Sequence, residues 1–70
     1  MPIVIAPLDV ELRIIKVMAD EKTKKHLESL GIFPNGTLTI ISVNGGNAIC
    51  LVKGVRIGLN SDIAKKILVA

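Results

Sequence analysis

Apolar and polar residues alternate along much of the chain, which is the pattern of half-buried strands. The stretches 9–18 and 37–43 both change phase partway, at Ile14-Ile15 and at Ile40-Ile41. Such a phase change indicates one extra residue in the strand, so we predict two long strands, each bent at a bulge. Shorter strands are predicted over residues 48–52, 55–59 and 67–69.

One segment breaks this alternation and predicts a helix over residues 20–30. Asp20 is a good N-cap, because its side chain can accept a hydrogen bond from a free backbone N–H of the first turn. Gly31 stands where a left-handed residue commonly ends a helix, and Pro34 prevents the helix from resuming. Asn35 and the glycine after it tolerate a positive φ, so the chain is expected to turn there into the next strand.

Turn residues join the remaining elements. Residues 44–47 (Asn-Gly-Gly-Asn) and the pair Lys53-Gly54 predict tight hairpins, and residues 60–62 can cap a single turn over 63–66. The predicted order is strand, helix, three strands, short turn, strand. We therefore expect a mainly β fold with one short helix, a small, partly open barrel of about five strands, formed by residues 1–70 as a single domain. The predicted core comprises Leu12, Ile14, Leu27, Leu30, Leu38, Ile40, Ile57, Leu59 and Ile67.

Composition narrows the functional classes. Half of the 70 residues are hydrophobic, so a small β-rich core is feasible without a disulfide or a metal ion. Cys50 is the only cysteine, and no stretch has the pattern of a secretory signal or a membrane span. We expect a cytoplasmic protein. The net charge of +3 permits contact with phosphate, an anionic membrane or an acidic protein surface, and selects none of them.

Candidate metal ligands and catalytic groups are sparse. His26 and Cys50 are the only soft ligands, whereas an iron or zinc site needs several converging groups. His26 is interpreted as a surface helix residue and Cys50 as a small core residue. No nucleophile–base pair can be identified. We predict no enzyme activity, no metal site and no cofactor, with weak binding of a transition metal left open.

The lysines at 22, 24 and 25 form the densest basic patch. Single-stranded nucleic-acid binders usually add aromatic rings on which bases stack, and Phe33 is the only aromatic residue. Recognition of proline-rich peptides also needs an aromatic-lined groove. Nucleic acid is therefore not the expected partner. Phe33 itself has two interpretations, a ring folded onto the core or a residue exposed together with Ile32 as an apolar anchor for a partner.

Three blocks of sequence, in order, resemble the FeoA family of ferrous iron transport. Residues 25–34 are similar to its helix followed by Leu-Gly-hydrophobic-any-Pro-Gly, with Asn35 where the family usually has Gly. Residues 52–59 are similar to its hairpin with a basic residue on the last strand, and 62–69 to its terminal Ala-any-any-Ile-any-Val. The hairpin loop at 44–47 is shorter than in many members.

The resemblance implies an SH3-like barrel without enzymatic activity that binds the membrane GTPase transporter FeoB. The expected role is a cytoplasmic accessory or regulator of ferrous iron transport, itself not membrane-spanning, with the oligomeric state open. The predicted partner-binding residues are Lys24, Lys25, Glu28, Ile32 and Phe33, with Arg56 as the second choice of surface.

Two other functions remain open. The chain is alternatively a basic SH3-like module that binds RNA or a ribosomal surface, or a detached regulatory domain like the barrel that ends some metal-dependent repressors. The last is the weakest, since no DNA-binding helices accompany the barrel. Salt-sensitive retention on RNA would favour the RNA-binding alternative, and co-purification with a membrane GTPase would favour iron transport.

Overall fold

The computed structural model describes residues 1–70 and contains five strands and two helices. The predicted order of elements is confirmed. The last helical turn begins two residues before the predicted turn, because Asn60 caps it by accepting a hydrogen bond from the Ile63 N–H at 3.0 Å. The elements are β1 (Glu11–Val17), α1 (Glu21–Ser29), β2 (Thr37–Asn44), β3 (Asn47–Val52), β4 (Val55–Leu59), α2 (Ser61–Ala64) and β5 (Ile67–Val69).

The strands form one antiparallel, partly open sheet in the order β4-β3-β2-β1-β5. Strand β1 serves both halves of this sheet, since residues 11–13 pair with β2 and residues 14–17 pair with β5. The register shifts between Ile14 and Lys16 in β1 and between Ile40 and Ser42 in β2. Both predicted bulges are therefore confirmed, and they allow one strand to bend from one half of the sheet into the other.

Two short hairpins connect β2 to β3 and β3 to β4. Gly45 and Gly46 have φ values of 57° and 82°, and Lys53 and Gly54 have values of 52° and 79°. Two successive residues with positive φ form the turn whose twist matches that of paired strands, and glycine adopts this conformation without steric cost. The predicted tight turns are confirmed at both places.

The core fills the inner face of the sheet, closed by α1 and by the segment before β1. All the predicted core residues are buried except Leu30, which is only partly buried because it caps the C-terminal end of α1. Ile3 is completely buried in a 3₁₀ turn (Ile3–Ile5) that has no counterpart among the predicted elements. The segment is tied to the sheet where the Val69 N–H donates to the Met1 carbonyl at 2.7 Å.

Candidate protein-interaction site

Helix α1 begins at a surface cap. The Asp20 carboxylate accepts a hydrogen bond from the Thr23 backbone N–H at 2.8 Å, as predicted from the sequence. Hydrogen bonding to the side chain and backbone of Thr23, assisted by nearby Lys66 and Lys22, holds the pKa of Asp20 below its ordinary value of 3.8. The N-terminal end of α1 is thus held by an exposed, ionised carboxylate.

The C-terminal end of α1 is closed by a buried Schellman motif. The Ile32 N–H donates to the Leu27 carbonyl and the Gly31 N–H to the Glu28 carbonyl, each at 2.9 Å. Gly31 supplies the required left-handed conformation with a φ of 92°. This motif packs the residue after the glycine against the helix, so Ile32 and Leu27 are each only 1% exposed. The alternative in which Ile32 is exposed together with Phe33 is therefore wrong as to the exposure of Ile32.

Residues 33–36 form the exit loop, a tight turn between Ile32 and β2. The Gly36 N–H donates to the Phe33 carbonyl at 3.0 Å, and Asn35 at the third position has a φ of 72°. A proline at the second position and a residue with positive φ at the third are the features of a type II turn. The turn is fixed to β1 on both sides, because the Asn35 N–H donates to the Ile14 carbonyl and the Ile14 N–H donates to the Gly36 carbonyl, each at 2.8 Å.

A groove of about 350 Å³ lies between α1, the end of β1 and this turn; we call it the helix groove. Glu21, Lys24 and Glu28 recur at helical spacing, so they share the face of α1 that borders the groove. The groove combines acidic and basic groups with an apolar floor, a surface suited to a polar protein partner with an apolar anchor. Its walls are Lys16 and Val17 from β1, these three helix residues, and residues 32–34.

The groove brings together four of the six residues predicted to bind a partner. Lys24, Glu28, Ile32 and Phe33 all line it, although Ile32 contributes from the buried floor. Lys25 is exposed on α1 and does not line it, and Arg56 is exposed on β4 outside it. Four residues that line the groove were not predicted from the sequence: Lys16, Val17, Glu21 and Pro34. Only Glu21 could have been found locally, from its helical spacing to Lys24 and Glu28.

The Phe33 ring is half-buried, so it is neither fully folded onto the core nor fully exposed. One edge of the ring lies close to Gly36, where an added Cβ atom would be 3.2 Å from the ring atom Cε1. The Lys53 Nζ atom is 5.4 Å from the ring centroid, within the range of a cation–π contact. The remaining surface of the ring is available at the mouth of the helix groove.

Cys50 and His26 occupy separate environments. Cys50 is completely buried on β3, and burial raises the pKa of its thiol to about 11, so the thiol stays protonated at neutral pH. His26 is exposed on α1. No group of three or more His, Cys, Asp or Glu side chains is gathered where it would hold a metal ion. Neither helix has the length and apolar character needed to cross a bilayer.

Solved structures of FeoA proteins share this fold. The chain is similar to an iron uptake regulatory protein (FeoA), with 18% identity and a TM-score of 0.86 over 99% of this chain and 93% of that one. It is also similar to iron(II) transport protein A from Clostridium thermocellum, with 22% identity and a TM-score of 0.86 over 99% of this chain and 44% of that one. The chain is also similar to FeoA from Chlorobium tepidum, with 15% identity and a TM-score of 0.85 over 99% of this chain and 68% of that one.

These likenesses confirm the small β barrel as the fold. No curated protein sequence matches the chain significantly. The model of the FeoA domain, in contrast, matches residues 1–70. The protein therefore belongs to the FeoA family, the small accessory domains of ferrous iron transport.

Proposed function

We propose that the protein is a non-enzymatic, cytoplasmic accessory of ferrous iron transport, in which residues 1–70 act as one domain that binds the FeoB membrane GTPase transporter. Membership of the FeoA family supports this role. The observation that carries the choice of surface is the helix groove, which places charged side chains and a half-buried aromatic ring together on rigid elements.

The two kinds of residue in the groove have different tasks. Lys24 and Lys16 can pair with carboxylates of a partner inside the groove, where Glu21 and Glu28 balance their charge. The net charge of +3 on the chain attracts an acidic partner surface and speeds the encounter. Phe33 presents a partly exposed ring that a partner can cover, the type of contact that sets dissociation rates. The ring starts close to its bound position, since the exit loop is hydrogen-bonded to β1 and loses little freedom on binding.

Two neighbouring lysines provide a matched pair for testing the groove. Lys24→Glu and Lys25→Glu change the net charge equally, but only Lys24 lines the groove. Binding rates are measured with the soluble GTPase domain of the transporter across a range of salt concentrations. We expect both variants to slow association at low salt, with the difference shrinking as salt rises. Only Lys24→Glu should also speed dissociation.

Phe33→Ala tests the anchor. We expect faster dissociation with little change in association, because the ring acts after the partners have met. A melting curve must accompany the kinetics, since the half-buried ring also packs on Gly36. If folded Phe33→Ala and Lys24→Glu both bind with unchanged rates, the groove is not the interface. Salt-sensitive retention on RNA without transporter binding would instead favour the basic RNA-binding module.

A further inference from the structure

One outer edge of the sheet is covered by another segment of the chain, and the other is not. On β5, the Val69 N–H donates to the Met1 carbonyl and Pro2 forms a bridge with Leu68, so the segment before β1 covers this edge. On β4, the sheet ends without a covering segment. Uncovered edges tend to pair with other strands, and proteins usually protect them with proline, bulges or several charges. Strand β4 has no proline, no bulge and one charged residue, Arg56.

The hairpin fixes which backbone groups of β4 are free. Val52 and Val55 flank a two-residue turn, and such a pair exchanges both backbone hydrogen bonds. Along β4, residues whose backbone groups bond to β3 alternate with residues whose backbone groups point away from it. Ile57 and Leu59 therefore bond to β3, whereas Arg56 and Gly58 direct their N–H and C=O groups away from the sheet. No backbone hydrogen bond outside the strand ladders involves either residue.

We propose that β4 pairs with β4 of a second copy of this chain, as antiparallel strands related by a two-fold axis at Ile57. In this register Arg56 of each copy lies opposite Gly58 of the other. The two outward-facing residues are then hydrogen-bonded partners, so four backbone hydrogen bonds form and all five residues of each strand are used. The pair joins two five-stranded sheets into one continuous sheet.

The side chains favour this register over the one centred on Arg56. Arg56 meets a glycine, and no atom lies within 4 Å of the position where a Cβ on Gly58 would stand, so the guanidinium group has room. A two-fold axis at Arg56 would instead place two arginines opposite each other, which is unfavourable. Val55 is 59% exposed, the most exposed apolar side chain in any strand, and this register places it against the backbone at Leu59 of the second copy.

This surface is separate from the helix groove, because neither Val55 nor any other β4 residue lines that groove. Self-association at β4 is therefore independent of the proposed transporter binding, and the two can succeed or fail separately.

Sedimentation of the purified chain from micromolar to millimolar concentration tests the proposal. We expect a reversible monomer–dimer equilibrium. Gly58→Pro removes the outward N–H from each copy, and proline is tolerated on an edge strand where its nitrogen faces away from the sheet. Loss of two backbone hydrogen bonds should weaken the dimer by about tenfold or more, whereas Gly58→Ala, which keeps the N–H, should dimerise almost normally.

Amide hydrogen exchange in the unmodified chain gives a second readout that does not depend on a variant. Exchange at the Arg56 and Gly58 amides should slow as protein concentration rises, while the Ile57 amide, already bonded to β3, changes least. A chain that stays monomeric throughout the range overturns the proposal. So does a dimer that Gly58→Pro leaves unchanged. Protection of Arg56 and Gly58 by the transporter's GTPase domain alone, without self-association, would assign the edge to the transporter and also overturn it.

Discussion

The two ends of helix α1 are held by opposite physical means. At the N-terminal end, the exposed Asp20 carboxylate accepts one backbone hydrogen bond in solvent. At the C-terminal end, Gly31 reverses the chain so that Ile32 enters the core beside Leu27. The difference shows why Phe33 and Ile32 have different roles although they are adjacent. Ile32 anchors the helix to the barrel, and Phe33 remains partly available at the surface.

The largest effect on stability is expected for Ile32→Ala. Removing a fully buried aliphatic side chain leaves a cavity and should lower the free energy of unfolding by about 2–5 kcal/mol. A chain of this length has only about 4–10 kcal/mol in total, so the variant should be near its limit. Urea unfolding measures the change. Ile49→Ala is the control, because Ile49 is 42% exposed and its truncation should have little effect. Equal losses at both positions would contradict the assignment of Ile32 to the core.

Gly31→Ala should have the next largest effect. The alanine must adopt a φ of 92°, and its Cβ would lie 3.0 Å from Val52 Cγ1. We expect a loss of about 1–3 kcal/mol in the same measurement. Gly45→Ala separates the two causes, since Gly45 also has a positive φ of 57° but nothing lies within 4 Å of its Cβ position. If both variants lose the same amount, the contact with Val52 is unimportant.

Asp20→Ala should have the smallest effect, and one that depends on pH. The native fold lowers the pKa of Asp20, so the ionised carboxylate contributes stability above the ordinary value of 3.8. That contribution is lost as the pH falls below 3.8 and through the native pKa. The difference in unfolding free energy between the original chain and Asp20→Ala should therefore shrink in acid. Glu11→Ala is the control, because Glu11 is an exposed carboxylate on β1 that caps no helix and forms no ion pair. A difference that persists unchanged in acid would contradict the proposed cap.

The course of the backbone could be predicted from local signals. The two phase changes marked the bulges, Asp20 marked a helix start, and Gly31 marked its end. Each of these depends on residues that are near one another in sequence. The buried 3₁₀ turn at Ile3–Ile5 gave no such signal, because a short apolar run without alternation has no period to detect. Its place in the core is set by contacts with β3 and β5, which are distant in sequence.

The candidate site was predicted less completely, because part of it is formed by residues that are distant in sequence. Lys24 and Glu28 were selected on the helix, and Phe33 in the exit loop that follows it, so all three lie within one short stretch of sequence. Lys16 reaches the groove from β1, and Lys53 reaches the Phe33 ring from the β3–β4 turn, so only the tertiary fold brings them there. Ile32 was misassigned because the Schellman motif buries the residue after its glycine, a consequence that outweighs its position in a loop.

The sharing of β1 between two sheet partners has a consequence for how fast the protein folds. Residues 14–17 of β1 must find residues 67–69, which lie at least 50 residues further along the chain, before the barrel closes. Such long-range pairing has a large entropic barrier, because a long loop must be closed before the contacts form. Refolding should therefore take roughly milliseconds to seconds, the range of β barrels, despite the small size of the chain. Since this pairing sets the barrier, substitutions in β5 should slow folding more than they speed unfolding.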